Sequence, residues 1–407
     1  MQKRRSHKKS RNGCQNCKKW HTKCDEQGPP CNNCTLRKAK CVYNRPKVEN
    51  FDNGTLTLRP KEIERPRGDA GALCGAYGGP ARLLELELMH QWSTSTYRSF
   101  CGIPEDGEYL QSVLPRAALN YDFMLNCLMA ISSLQIAKAI GGPESKKYVN
   151  AGLEFYNRGS SSFRTHLGNM NAENSHVLYM FSSIAIAVHL SIPQRSTSVL
   201  ELAKVAFDLV NGSTSIGMMG MPWILNSNYP LRLYVSRIGA TKDWIAPDIR
   251  DALERLKEIN DQRNKVASEP ISPSEDTGLV IINEHELYEM AIQNLEICFA
   301  EESRGLLRGF GSAFPAMAGK HFTALINNSE PFALLIVMHW SVCMGMIDPS
   351  IWWITSVAQP LAQEISDLLV AFHPDLAQEW KEEMAWVLNR HRSPPPIHRV
   401  RELQYIP

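Results

Sequence analysis

Six cysteines between positions 14 and 41 constrain this chain more than any other feature of its 407 residues. Their spacing is Cys14-x2-Cys17-x6-Cys24-x6-Cys31-x2-Cys34-x6-Cys41, so the form C-x2-C-x6-C occurs twice in succession. A C-x2-C pair lets one tight turn direct two thiolates at a single metal, and six further residues leave room for a short helix before the third sulfur. Three cysteines leave a tetrahedral zinc one ligand short. Two such halves complete both sites when two thiolates bridge the metals, which predicts a Zn2Cys6 cluster holding two structural Zn2+. Six thiolates and two Zn2+ carry a net charge of −2, which neighbouring Lys and Arg offset. A redox reading fits less well, because a thioredoxin-type C-x2-C comes singly beside a βαβ unit.

The other five cysteines (Cys74, Cys101, Cys127, Cys298, Cys343) are scattered. The first twenty residues are polar and basic, with no apolar run resembling a secretory signal. The expectation is therefore a chain kept in a reducing compartment, with thiols rather than a disulfide framework.

Charge divides the chain at the same place. Residues 1–47 hold fourteen Lys and Arg against Asp25 and Glu26, a net +12, while the other 360 residues hold thirty cations against forty acids, a net −10. The whole-chain value of +2 conceals a basic head, suited to a polyanion, on an acidic body that would be repelled by one. Lys18, Lys19 and Lys23 lie between Cys17 and Cys24, and Arg37, Lys38 and Lys40 occupy the equivalent stretch of the second half. Cations on a short metal-clamped helix can neutralise phosphates and reach the N7 and O6 acceptors of guanine. The tail through Arg11 adds phosphate contacts and has the composition of a nuclear-import signal.

Ser10-Arg11-Asn12-Gly13-Cys14, Lys23-Cys24-Asp25-Glu26, Pro30-Cys31 and Cys41-Val42-Tyr43 resemble fungal Zn(II)2Cys6 binuclear-cluster transcription factors. The resemblance covers about 35 residues. It implies that Cys14 and Cys31 bridge the metals while Cys17, Cys24, Cys34 and Cys41 are terminal ligands. It also implies a helix entering the major groove of double-stranded DNA, commonly at CGG triplets. The chain departs from that family at Trp20 and His21, where Arg or Lys is usual. His21 takes the place of a base-reading lysine, and a neutral imidazole offers one donor where an ammonium offers three. Trp20 suits packing either on the sugar–phosphate backbone or on the cluster. The departure keeps a second reading open, a zinc-bearing nuclear interaction protein without specific base recognition.

Residues 46–82 are rich in Gly and Pro and lack a sustained apolar period or a heptad run, so they read as a flexible linker. From Leu83 onward helical patterning dominates and strand-like alternation is scarce. Met124, Cys127, Leu128, Ile131 and Leu134 mark one buried face; Leu287, Met290, Ala291, Leu295 and Cys298 mark a second; Leu361, Ile365, Leu368, Leu369 and Phe372 mark a third. Ile249, Leu253, Leu256 and Ile259 form a stripe on a charged surface helix. Ser268–Gly278 reads as a polar loop. No stretch reaches about 18 consecutive apolar residues, so the membrane is not an expected partner. Tyr179–Ile192 and Phe332–Ile347 read as buried core helices, and His339 as a hydrogen-bonded core histidine.

Leu86–Tyr97, Glu330–Leu335 and Trp352-Trp353 resemble landmarks of the regulatory domain in fungal factors similar to sterol-uptake regulators. That resemblance implies an all-helical domain that senses a small hydrophobic effector and contacts coregulators. Enzyme motifs are missing. Gly309-Phe310-Gly311 and Gly319-Lys320 do not fit a P-loop, and Glu284-His285-Glu286 has no second histidine at metal-site spacing. An enzyme acting on a hydrophobic metabolite is thus the weakest rival.

The expected organisation is a basic tail (1–13), a Zn2Cys6 DNA-binding domain (14–45), a linker (46–82) and an all-α regulatory domain (83–407). The expected function is a nuclear, sequence-specific regulator of RNA polymerase II transcription, for metabolic or secondary-metabolite genes, and not an enzyme. Dimerisation stays open, since the usual coiled coil is missing.

Overall fold

The computed structural model describes residues 14–25, 30–42, 80–193, 198–267 and 283–392. These fall into two units, each described by itself. The basic tail with Arg11, linker positions 46–79 and the loop Ser268–Gly278 lie outside the described residues. Every regular element among the described residues is helical, as expected.

The small unit contains α1 (Gln15–Lys19) and α2 (Asn32–Leu36), each opening immediately after the first cysteine of a C-x2-C pair. Its buried residues are Cys14, Cys17, Cys24, Cys31 and Cys34, with Trp20 and Cys41 packed against them. A core made only of sulfur and one indole cannot offset the conformational entropy of folding without a metal.

The large unit has two hydrophobic cores. The first is built on α3 (Pro80–Thr94), the short helical turns between Thr96 and Ala118, α4 (Asp122–Ile140), α5 (Ser145–Leu167) and α6 (Ser175–Ser191). Trp92 is wholly buried here, and its Nε1 donates to the carbonyl of Leu110 at 2.8 Å. α4 and α5 approach closely because α5 presents Gly152 and Gly159 to α4. A Cβ on Gly159 would sit 2.9 Å from the Phe123 carbonyl oxygen, which is backbone and cannot swing aside. Gly159→Val should therefore lower unfolding stability by about 1–3 kcal/mol. Gly168→Ala, where a Cβ meets nothing within 4 Å, should be neutral or mildly stabilising. Matched denaturant melts of the two variants check this; equal stability would remove the close-approach argument.

The second core surrounds α12 (Pro331–Met346), in which every residue from Phe332 to Met344 is buried. A helix apolar on all faces needs cover on all sides. α10 (Glu284–Arg304), α11 (Phe314–Asn327), α13 (Ala358–Phe372) and α15 (Lys381–Arg392) provide it, with α14 (Pro374–Glu379) between the last two. Glu330 caps α12 by accepting from the Ala333 N–H at 2.9 Å, and Pro331 occupies its first turn. His339 is fully buried, its Nδ1 is 2.9 Å from the Leu335 carbonyl, and its ring stacks on Trp386. Burial pushes its pKa down to about 4, so it is neutral at ordinary pH. It is a core histidine with Nδ1 satisfied, although Nε2 has no hydrogen-bond partner.

α7 (Val199–Ile224) serves both cores, placing Leu200 and Phe207 in the second and Ile216 in the first. α8 (Leu231–Arg237) follows it and buries none of its side chains, while α9 (Pro247–Ala267) buries the expected stripe of Ile249, Leu253, Leu256 and Ile259.

Two sequence expectations need correction. Met290 is 42% exposed and Phe372 75% exposed, so neither lies on its helix's buried face; α10 uses Tyr288, Ile292 and Phe299 beside the predicted positions. Phe372 is the last residue of α13, past the end of its cover. One helix among the described residues, α4, is long and apolar enough to cross a membrane by length and composition. Asn126, Ser132, Ser133, Gln135 and Lys138 interrupt its apolar run, which hides it from a count of consecutive residues. Most of it is buried against α3, α5 and α6.

Candidate metal centre

The two halves of the small unit are related by a pseudo-dyad that can be followed atom by atom. Cys14 caps α1, its Sγ accepting from the Cys17 N–H at 3.4 Å, and Cys31 occupies the same position before α2. Asn16 and Asn33, each just before the second cysteine of its pair, reach across to the opposite half. Asn16 Nδ2 donates to the Lys40 carbonyl at 2.9 Å, and Asn33 Nδ2 donates to the Lys23 carbonyl at 2.9 Å. The Gln15 N–H donates to the Val42 carbonyl, and the Asn32 N–H to Asp25 Oδ2. Four residues past each C-x2-C, His21 (φ 53°) and Lys38 (φ 46°) adopt the left-handed conformation that turns the chain back toward the third cysteine. Asn16 and Asn33 were missed in the sequence, although the repeated C-x-N-C is visible there.

This frame gathers the six sulfurs into two quartets. Cys14, Cys17, Cys24 and Cys31 lie with all Sγ atoms within 4.8 Å of one another, and so do Cys14, Cys31, Cys34 and Cys41. Cys14 and Cys31 are common to both. The Cys14–Cys31, Cys14–Cys34 and Cys17–Cys31 sulfur pairs are 3.7, 3.6 and 3.6 Å apart. Tetrahedral Zn–S bonds of about 2.3 Å place sulfurs about 3.8 Å apart, so the donor set fits zinc in type, number and spacing. Asn16 Nδ2 also lies 3.6 Å from the Cys34 sulfur, an outer-sphere contact that orients a thiolate. Burial raises the Cys14 and Cys31 thiols, but the N–H groups of Cys17 and Cys34 outweigh it, with help from neighbouring sulfurs, and hold both below the ordinary thiol value. Cys17 is pushed up to about 12 by burial and adjacent thiols, and Cys34 and Cys41 are raised chiefly by burial.

Lys18, Lys19, His21, Lys23, Lys38 and Lys40 are all exposed around this centre. Lys18 and Lys19 occupy the last turn of α1, where the helix dipole favours cations. Trp20 packs on the cysteine cluster, and the Arg37 guanidinium lies 4.6 Å from its ring centroid. These two residues thus cap α1 and α2 and stack on each other across the pseudo-dyad.

Comparison with known proteins agrees with this geometry. Residues 12–50 match the fungal Zn(2)-Cys(6) binuclear cluster domain. A Zn(2)-C6 fungal-type transcription factor of Aspergillus fumigatus is 24% identical over 288 residues, covering 65% of this chain and 72% of that one. One from Gibberella zeae is 22% identical over an alignment of 451, covering 95% and 86%. Sterol uptake control protein 2 of Candida albicans is 55% identical over 51 residues, 12% of this chain and 7% of that protein. The chain therefore carries a fungal Zn(2)-Cys(6) binuclear cluster domain, which binds two Zn2+, followed by an all-helical body. Its relatives are named as transcription factors, and the likeness supports a DNA-binding transcription regulator.

Proposed function

We propose that this chain is a nuclear, sequence-specific regulator of RNA polymerase II transcription rather than an enzyme. In this reading Cys14 and Cys31 bridge the two zinc ions, and Cys17, Cys24, Cys34 and Cys41 complete them. The sharing of Cys14 and Cys31 by two sulfur quartets carries the reading, because it leaves each metal closed to water and substrate and makes the centre structural. The clamped helix α1 then brings Lys18, Lys19 and His21 toward double-stranded DNA, with Lys23, Lys38, Lys40 and the tail residue Arg11 on phosphates. Trp20 and Arg37 act by holding the halves together. The helical body regulates output through coregulators and a small apolar effector, and its net negative charge keeps it off the duplex.

Selection of bound duplexes from a random pool by the full chain tests the reading. A recovered motif supports it. Duplex binding at no more than the level of bulk DNA would favour a zinc-bearing nuclear interaction protein instead.

Position 21 offers a finer test. Lys38 shows that a lysine adopts the left-handed backbone at the equivalent turn, so His21→Lys is compatible with the fold. The added ammonium should strengthen binding to guanine-rich triplets, by roughly 5–10-fold in a competition gel shift. An unchanged profile would show that residue 21 does not face the bases.

A further inference from the structure

The two cores of the helical body meet along a half-open cleft of about 430 Å3, a volume ordinary for small-molecule sites. Its walls are mostly apolar, with Leu134 and Ala137 of α4, Val149 of α5, Leu202 of α7 and the paired indoles Trp352 and Trp353, broken by Ser145, Ser191 and Ser356. Among the residues lining it one is charged, Lys138, and none is acidic. Lys138 Nζ donates to the Trp352 carbonyl at 2.6 Å and lies 5.4 Å from the Trp352 ring centroid. An ammonium has three donors, and among the described residues Lys138 has no carboxylate partner. Ser145 brings the first turn of the 23-residue α5 to the rim, adding the positive end of a helix dipole. The cleft thus joins apolar walls to an excess of donors and positive potential.

We propose that this cleft binds an apolar organic acid, its hydrocarbon body against the indoles and aliphatic walls and its carboxylate received by the Lys138 ammonium. The inference rests on the reading of the body as the effector-sensing part and names the class of effector. Lys138 is exposed, so its ammonium keeps water beside a neutral ligand of the same shape and gains an ion pair only from the acid; charge therefore adds to shape in setting the selectivity.

Calorimetric titration of the zinc-loaded full chain with dodecanoate, and separately with dodecan-1-ol, tests this. Dodecanoate should bind at one site per chain, at least about tenfold more tightly than the alcohol. Lys138→Met should reduce dodecanoate binding to the level of the alcohol, while Lys138→Arg keeps it within about threefold. Equal affinity for acid and alcohol, unchanged binding in Lys138→Met, or no binding of either probe would overturn the proposal. Duplex selection separates the two readings. A recovered DNA motif without acid binding defeats the cleft alone, and acid binding without a motif defeats the DNA reading while the cleft stands.

Discussion

Cys14→Ser is expected to lose both zinc ions and all duplex binding. Cys14 belongs to both sulfur quartets, so its replacement leaves each metal with three thiolates and a hydroxyl that zinc binds poorly. Structural zinc contributes about 10–16 kcal/mol of apparent binding energy to small modules, and here little else opposes unfolding. The buried residues of the unit are the cysteines themselves, with Trp20 against them. Cys41→Ser provides the contrast, since Cys41 belongs to one quartet only. Metal analysis should find fewer than about one zinc per chain in Cys14→Ser and a smaller loss in Cys41→Ser, with gel shifts following the metal content. The large unit has its own cores, so its thermal transition should stay in place in both variants. Two zinc ions and undiminished duplex affinity in Cys14→Ser would overturn the bridging assignment.

The metal centre was legible because its information is local: the recurrence of C-x2-C-x6-C within one short segment is a spacing code for thiolate geometry. What the spacing leaves open is the crossing of the halves. The amides of Asn16 and Asn33 have targets 24 and 10 residues away, and such targets exist only once the pseudo-dyad has formed. The stack of Arg37 on Trp20 belongs to the same category, since it joins side chains from the two separate halves. In the body, α12 was legible because it is apolar on every face, whereas the polar interruptions of α4 conceal how deeply it is buried. Periodicity marks the side of a helix that faces inward but not where its cover ends, hence the exposure of Phe372. The close approach at Gly159 is likewise invisible to a hydrophobic pattern, since a glycine contributes no apolar signal.

Polar mooring of the connection between the two cores leaves the weakest trace in the sequence, and it yields the second large effect. α8 buries no side chain, so hydrophobic burial does not fix it. It is tied by the Tyr234 hydroxyl donating to Asp106 Oδ2 and, at its last residue, by Arg237 forking onto Glu105 at 2.8 and 2.6 Å. Burial raises the Asp106 carboxyl, while the Tyr234 hydroxyl and the N–H groups of Ile103 and Gly102 pull it back. Just past that end Glu301, 1% exposed, accepts from the N–H groups of Gly239 and Ala240 at 2.6 and 2.7 Å and pairs with Arg304 at 2.7 Å. Arg304 in turn donates to the Arg237 carbonyl. Glu301→Ala strands two backbone donors and a largely buried guanidinium at once, for which about 3–5 kcal/mol is expected. That corresponds to a fall in Tm of roughly 6–10 °C for the large unit. Glu301→Gln keeps an acceptor for both N–H groups and loses only the charge facing Arg304, so it should cost less, about 1–3 kcal/mol. Differential scanning calorimetry of both variants measures the ordering. An Ala variant no less stable than the Gln variant would mean that the Gly239 and Ala240 donors find water when Glu301 is cut back, and that this mooring contributes little to holding the large unit together.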